Sequence, residues 1–114
     1  MIPIKAFDQN DYLVECELDD QLFFLHFSWN SEAEIWVLGI EDANEQVILQ
    51  GVVLVANSWL LQQFKILALP EGDMFVYARN PNEIIDRTAF LEGRATLYYV
   101  PAAELAVFPA EVES

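Results

Sequence analysis

The sequence predicts a mainly β protein, a small antiparallel β-barrel or sandwich of about six or seven strands with one short helix. Three observations lead to this prediction. Apolar and polar residues alternate with a period of two through several segments, the polar breaks between these segments are short, and helical periodicity occurs in one segment only. Short breaks between consecutive strands indicate antiparallel hairpins.

The first alternating segment is "YLVECEL". It places apolar side chains and Cys16 on one face and mostly acidic side chains on the other, as in a half-buried strand. Asp19 and Asp20 then indicate a turn. The segment after the turn, "LFFLHFSW", is a second strand with apolar residues on both faces.

Two further strands, "IWVLGI" and "VILQGVVLV", follow the polar breaks 30–34 and 41–46. Gly39 and Gly51 interrupt these apolar runs, which is typical of a bulge or of a close backbone approach. Trp29 and Trp36 flank the first break, and the strand register decides whether they share a face.

The pattern changes in "NSWLLQQFK", where Trp59, Leu60 and Phe64 follow a candidate cap at Asn57 or Ser58. We interpret this segment as the short helix, of about two turns. "DMFVYA" and "RATLYYV" are two more strands, joined by a loop with one helical turn near 83–87. Residues 1–100 are therefore predicted to form a single β domain, and residues 101–114 an extended carboxyl-terminal tail.

Composition restricts the classes of function. The chain has 114 residues, 54% of them hydrophobic, and a single small domain leaves part of that apolar surface exposed, where it marks interfaces. Nineteen acidic residues against five basic ones give a net charge of −14, which disfavours binding to nucleic acid or to an anionic membrane. No apolar run reaches the roughly 18 residues of a membrane-spanning helix.

Catalytic and metal sites have weak support. Cys16 and His26 occur once each and could pair across neighbouring strands, but no orienting acid lies at a telling spacing. We expect a structural histidine and a small buried cysteine. The "DQND" acids at 8–11 resemble the start of a calcium loop without its glycine and distal glutamate. The chain is therefore predicted not to be an enzyme and to hold no cofactor or metal.

The aromatic residues are better candidates for core and interface positions than for a ligand pocket. An alternative interpretation keeps a small-ligand or calcium-binding β-barrel module. The candidate interface residues are Trp29, Trp36, Trp59, Phe64, Tyr98, Tyr99 and Phe108.

The order of six short motifs resembles the baseplate plug family of contractile-tailed phages, known from a cyanophage baseplate. The resemblance covers roughly residues 2–100. The motifs are F-x-W-N at 27–30, W-x-L-x-I-x-D at 36–42, I-L-x-G-V-x-L at 48–54, L-L-x-x-F at 60–64, L-P-x-G-D-M at 69–74 and G-R-A-x-L-Y-Y at 93–99.

The resemblance implies a virion structural protein that sits in several copies at the central axis of a tail baseplate. Its expected partners are further copies of itself and hub, spike or wedge proteins. It would be synthesised and assembled in the host cytoplasm. The family supplies no catalytic residues to carry over, so the matching residues are expected to define the fold.

Overall fold

The computed structural model describes residues 1–64 and 67–105, which form two antiparallel sheets with a common core. The three-stranded sheet has the order β1 (Ile2–Pro3), β7 (Ala95–Val100), β6 (Asp73–Ala78). The four-stranded sheet has the order β2 (Asp11–Leu18), β3 (Gln21–Asn30), β4 (Ile35–Glu41), β5 (Val47–Val53). The predicted fold class is confirmed, and of its two forms the arrangement is a sandwich rather than a closed barrel.

The core lies between the two sheets. Leu25, Leu38 and Ile40 of the four-stranded sheet are fully buried, as are Met74 and Val76 of the three-stranded sheet. These side chains occupy alternate positions along their strands, because a strand facing a core on one side buries every second residue. Apolar burial of this kind is the main favourable contribution to folding.

The β2–β3 hairpin turns at the predicted position. Leu18 pairs with Gln21, and the two residues between them, Asp19 and Asp20, have φ angles of 50° and 64°. Two consecutive left-handed residues form the tight turn whose twist matches that of its strands. Aspartate adopts this conformation more readily than most residues, since its short polar side chain can bond locally.

The two strand glycines lie at a β-bulge between β4 and β5. Leu38 pairs with Val52 and Ile40 pairs with Leu49, so Gly39 alone faces two residues, Gln50 and Gly51. Gly51 has a φ of 78°, in the left-handed region that glycine favours. The predicted link between these glycines and a bulge is confirmed.

The register of the β3–β4 hairpin places the two tryptophans on one face. Trp29 and Trp36 are direct cross-strand partners, with ring centroids 5.4 Å apart and tilted by 57°. Trp36 is 3% exposed, whereas Trp29 is half-buried. Asn30 Oδ1 closes the turn by accepting hydrogen bonds from the backbone N–H groups of Glu32 and Ala33, at 3.1 and 3.0 Å.

The predicted helix from Asn57 or Ser58 is wrong. Only Gln62–Phe64 forms a single 3₁₀ turn, and the preceding residues instead run along the edge of β6. Their backbone bonds join Asn57 N to Val76 O (2.5 Å), Val76 N to Ser58 O (3.3 Å) and Leu60 N to Met74 O (3.0 Å). Pairing with the sheet edge is favoured because an isolated two-turn helix has marginal stability, while the edge of β6 offers unpaired backbone N–H and C=O groups.

The helical turn predicted near 83–87 is also wrong, since residues 83–86 have no regular structure and the turns of this loop lie at 81–82 and 87–93. A short helix, α1 (Ala102–Leu105), occurs instead at the start of the predicted tail. The Met1 amino group contacts Glu104 Oε1 at 2.6 Å. The rest of the tail, with the candidate Phe108, lies outside the described residues. No helix among residues 1–64 and 67–105 is long and apolar enough to span a membrane.

Candidate interaction surfaces

Three aromatic residues lie on the outer side of the three-stranded sheet and share one face with an exposed tyrosine. Trp59 forms a bridge with Phe75, with ring centroids 4.8 Å apart, and Phe75 pairs across the strands with Tyr98. Tyr77, two residues along β6, is 49% exposed. We call the set Trp59, Phe75, Tyr77 and Tyr98 the aromatic face.

The aromatic face adjoins a surface groove of about 490 Å³. Tyr77, Tyr98 and Thr96 line one side, and Arg79 and Glu83 lie on the loop that follows β6. Trp59 and Tyr98 are among the residues predicted from the sequence, whereas Phe75 and Tyr77 are not. The alternation in "DMFVYA" was the available signal, because it puts those two residues on the same side of the strand.

The other candidate interface residues lie elsewhere. Tyr99 is fully buried and Trp36 nearly so, which makes both of them core residues in this chain. Trp29 is half-buried at the rim of the core, and Phe64 is half-buried at the end of the 3₁₀ turn. Of the six candidates within the described residues, the structure therefore brings two, Trp59 and Tyr98, together on an accessible face.

The Cys16–His26 pair is excluded by the register. Cys16 pairs with Phe23 on the core face, while His26 pairs with Leu13 on the opposite face. Burial, with a smaller effect from the charge of Glu15, raises the pKa of the Cys16 thiol and keeps it protonated. His26 Nε2 instead lies 2.5 Å from Asp11 Oδ1 at the surface.

The candidate calcium loop at 8–11 holds a guanidinium group. Arg87 Nε donates to Asn10 Oδ1 at 2.6 Å, and Arg87 Nη2 donates to Asp8 Oδ1 at 3.0 Å. The same guanidinium lies 5.5 Å from the centroid of the Trp36 ring. These oxygens thus join the amino-terminal segment to the loop before β7. Within the part of the chain that the structure describes, no three His, Cys, Asp or Glu side chains converge as metal ligands.

Arg94 organises the loop between β6 and β7 through three carboxylates. Its guanidinium nitrogens lie 2.9 Å from Glu83 Oε2, 2.6 Å from Asp86 Oδ1 and 2.8 Å from Glu92 Oε1. The hydrogen bond from Arg94 lowers the pKa of the Asp86 carboxyl. We interpret this network as structural, since each of the three carboxylates is already paired with Arg94.

The two sheets are joined at a buried junction around Tyr99. Its hydroxyl donates to Asp19 Oδ2 in the β2–β3 turn and accepts a hydrogen bond from Gly72 N at 2.9 Å. Asp19 Oδ2 also accepts from Ala102 N at 3.1 Å, where α1 begins. Burial, and next the hydrogen bond to Asp19, raise the pKa of the Tyr99 hydroxyl above its usual range.

Removing this hydroxyl tests the junction. The substitution Tyr99→Phe removes the acceptor of the Gly72 N–H bond and one of the two donors to Asp19 Oδ2. We expect a loss of about 1–3 kcal/mol in the free energy of unfolding at pH 7. A raised folded pKa gives stability that is fully present below the unfolded pKa of about 10 and is lost as pH rises through the folded value. Urea unfolding from pH 7 to 11 should therefore show the difference from Tyr99→Phe shrinking above about pH 10.

Tyr77→Phe is the matched control, because it removes a hydroxyl from a half-exposed side chain outside the junction. We expect it to change stability by less than about 0.5 kcal/mol. Equal effects of the two substitutions at pH 7, or a Tyr99→Phe difference that stays constant with pH, would contradict the assignment.

Comparison with known proteins identifies a family of this chain. The model of the family described as "Cyanophage baseplate Pam3 plug gp18" matches residues 1–102 of the 114. The match spans both sheets. No curated protein matches the chain.

Proposed function

The chain belongs to the cyanophage baseplate plug family, and on this premise we propose that it is a structural protein of a contractile-tail baseplate. In this proposal it acts as a plug at the central hub and spike axis, in several copies, through contacts with itself and with hub, spike or wedge proteins. The family match over 1–102 is the observation that carries the proposal. The proposed location is the virion, at the tail baseplate, with synthesis and assembly in the host cytoplasm.

The described surface supports a role in protein contacts rather than chemistry. Cys16 and His26 lie on opposite faces of a sheet. In the 8–11 segment, Asp8 and Asn10 bind Arg87 and Asp11 pairs with His26. The aromatic face, by contrast, presents ring surface and a groove to solvent, and aromatic side chains are enriched in interface centres.

Purified tails test the proposal directly. We expect mass spectrometry to find the chain in tails freed of capsids, and a particle reconstruction to show it on the tail axis beside the hub. Light scattering of the isolated chain measures whether it forms a defined oligomer. The control is a non-structural protein of the same phage, which should be lost during purification.

Absence of the chain from purified tails, despite its synthesis in infected cells, would overturn the proposal. Density for it at the baseplate periphery would leave the chain a baseplate component and would reject the plug position.

A further inference from the structure

The four-stranded sheet turns one face to the core and the other to solvent. We call the solvent side the outer face. Its side chains are the odd-numbered residues of β2 and β4, the even-numbered residues of β3, and Val47 and Val53 of β5. Four large apolar side chains on this face are exposed: Leu13 (50%), Leu22 (37%), Val47 (53%) and Val53 (39%). Single exposed apolar residues are ordinary, but several on one sheet face indicate an interaction surface.

A groove of about 250 Å³ crosses the outer face over Gly39. His26 and Ser28 lie on its β3 side, and Val47 and Gln50 on its β5 side. The groove exists at this position because Gly39 has no side chain to fill it.

The fold does not require glycine at position 39. Its φ lies outside the left-handed region, and an added Cβ would meet nothing closer than Leu49 O, at 3.6 Å. Glycine inside a strand weakens the strand and often marks the close approach of a ligand or another backbone. The open groove thus lowers the stability of the isolated chain and creates room for a partner side chain.

The outer face is also acidic. Glu15 and Glu17 of β2 and Glu41 of β4 project onto it, and Asp11 lies at one end. Among the described residues of this face, His26 is the one side chain able to carry a positive charge, and Asp11 already pairs with it. A complementary surface therefore carries lysine or arginine around an apolar side chain.

A second copy of the chain fits this requirement poorly. Arg87 is bound by Asp8 and Asn10, and Arg94 is bound by three carboxylates. Five basic residues against nineteen acidic ones leave little with which another copy could neutralise the outer face. The charge pattern favours a different protein.

We propose that the outer face binds a neighbouring baseplate protein that inserts an apolar side chain over Gly39 and places lysine or arginine against Glu15, Glu17 and Glu41. The inference rests on the proposed function, because it names the chemistry of a partner in the same assembly. It adds a second contact surface to the aromatic face on the opposite sheet.

Filling the groove is the first test. A phage deleted for the gene is complemented with Gly39→Val or with the wild-type chain, and the amount of chain in purified tails is measured by mass spectrometry. We expect at least about a tenfold loss of incorporation for Gly39→Val, with a melting temperature of the isolated chain at or above that of the wild type. Ala33→Val ends in the same side chain, adds two carbons to the exposed β3–β4 turn, and should incorporate normally.

Reversing charge is the second test, and it does not depend on the groove. Glu15→Lys with Glu17→Lys should lower incorporation about tenfold, because cationic partner groups would then face like charge. Glu32→Lys with Glu34→Lys makes the same change in net charge in the β3–β4 turn and should incorporate normally. If Gly39→Val fails to fold, this pair of double variants still decides the question.

The outcomes separate the two proposals. Wild-type chain missing from tails overturns the proposed function itself. Wild-type chain present, with Gly39→Val and the Glu15/Glu17 variant incorporated equally well, overturns only the outer-face inference. Loss of self-association of the isolated chain in these variants, seen by light scattering, would make a second copy the occupant and would also overturn the proposal.

Discussion

The substitution Gly72→Ala is expected to destabilise the protein by about 3 kcal/mol or more, enough to prevent folding of a marginal domain. An added Cβ would lie 2.1 Å from Val100 O and 2.6 Å from Tyr99 Oη. Val100 O is a backbone atom of β7, and the Tyr99 side chain is fully buried, so neither can move aside without shifting the three-stranded sheet. The same shift would break the hydrogen bond from Gly72 N to the Tyr99 hydroxyl.

Gly39→Ala is the matched control for this experiment. It adds the same methyl group within a strand, where the nearest neighbour of the new Cβ is 3.6 Å away. Urea unfolding of both variants should show a large drop in midpoint for Gly72→Ala and a change within about 0.5 kcal/mol for Gly39→Ala. Similar midpoints for Gly72→Ala and the wild type would show that the β6–β7 region relaxes freely around position 72.

The strands could be predicted because the pattern that indicates each strand lies within the segment itself. "YLVECEL" alternates with a period of two whatever it packs against, and Asp19-Asp20 is a turn on its own chemistry. The close approach at Gly72 was not predictable in this way. It depends on Tyr99 and Val100, 27 and 28 positions further along the chain, and the sequence shows Gly72 only as an ordinary chain breaker after Pro70.

The predicted helix after Asn57 or Ser58 does not form, for a physical reason. Trp59, Leu60 and Phe64 have helical spacing, but the residues before the 3₁₀ turn gain more by pairing with β6. That pairing is a tertiary interaction, and tertiary context overrides local propensity in short segments. The same pairing creates the aromatic face, because the bridge between Trp59 and Phe75 places the two rings side by side.

Which aromatic residues are accessible at the surface depends on strand register, and composition alone does not give the register. Aromatic content indicated contact surfaces, but burial assigns Trp36 and Tyr99 to the core. Register also decides that Cys16 and His26 never meet. The alternating acids of β2 indicate the acidic outer face from the sequence alone. The groove over Gly39 could not be predicted in this way, because it also depends on the β4–β5 bulge opposite Gly39.

The substitution Trp36→Ala is expected to lower the free energy of unfolding by about 3–5 kcal/mol. The indole is 3% exposed, and its Nε1 donates to Asp86 O at 3.2 Å. Its ring also lies against Trp29 and Tyr12, at centroid distances of 5.4 and 6.0 Å. The substitution therefore leaves a cavity, removes ring contacts within the four-stranded sheet, and removes the hydrogen bond that attaches the loop before β7.

Trp29→Ala is the comparison, since Trp29 is the cross-strand partner of Trp36 but is half-buried. Thermal or urea unfolding should show a smaller loss for it, and the double variant should reveal a coupling of about 0.5–1.5 kcal/mol between the rings. Trp36→Phe keeps an aromatic ring and removes the donor to Asp86, so its loss should lie between wild type and Trp36→Ala. Equal losses for Trp29→Ala and Trp36→Ala would mean that both rings contribute equally to the core, against the unequal burial that the hairpin register creates.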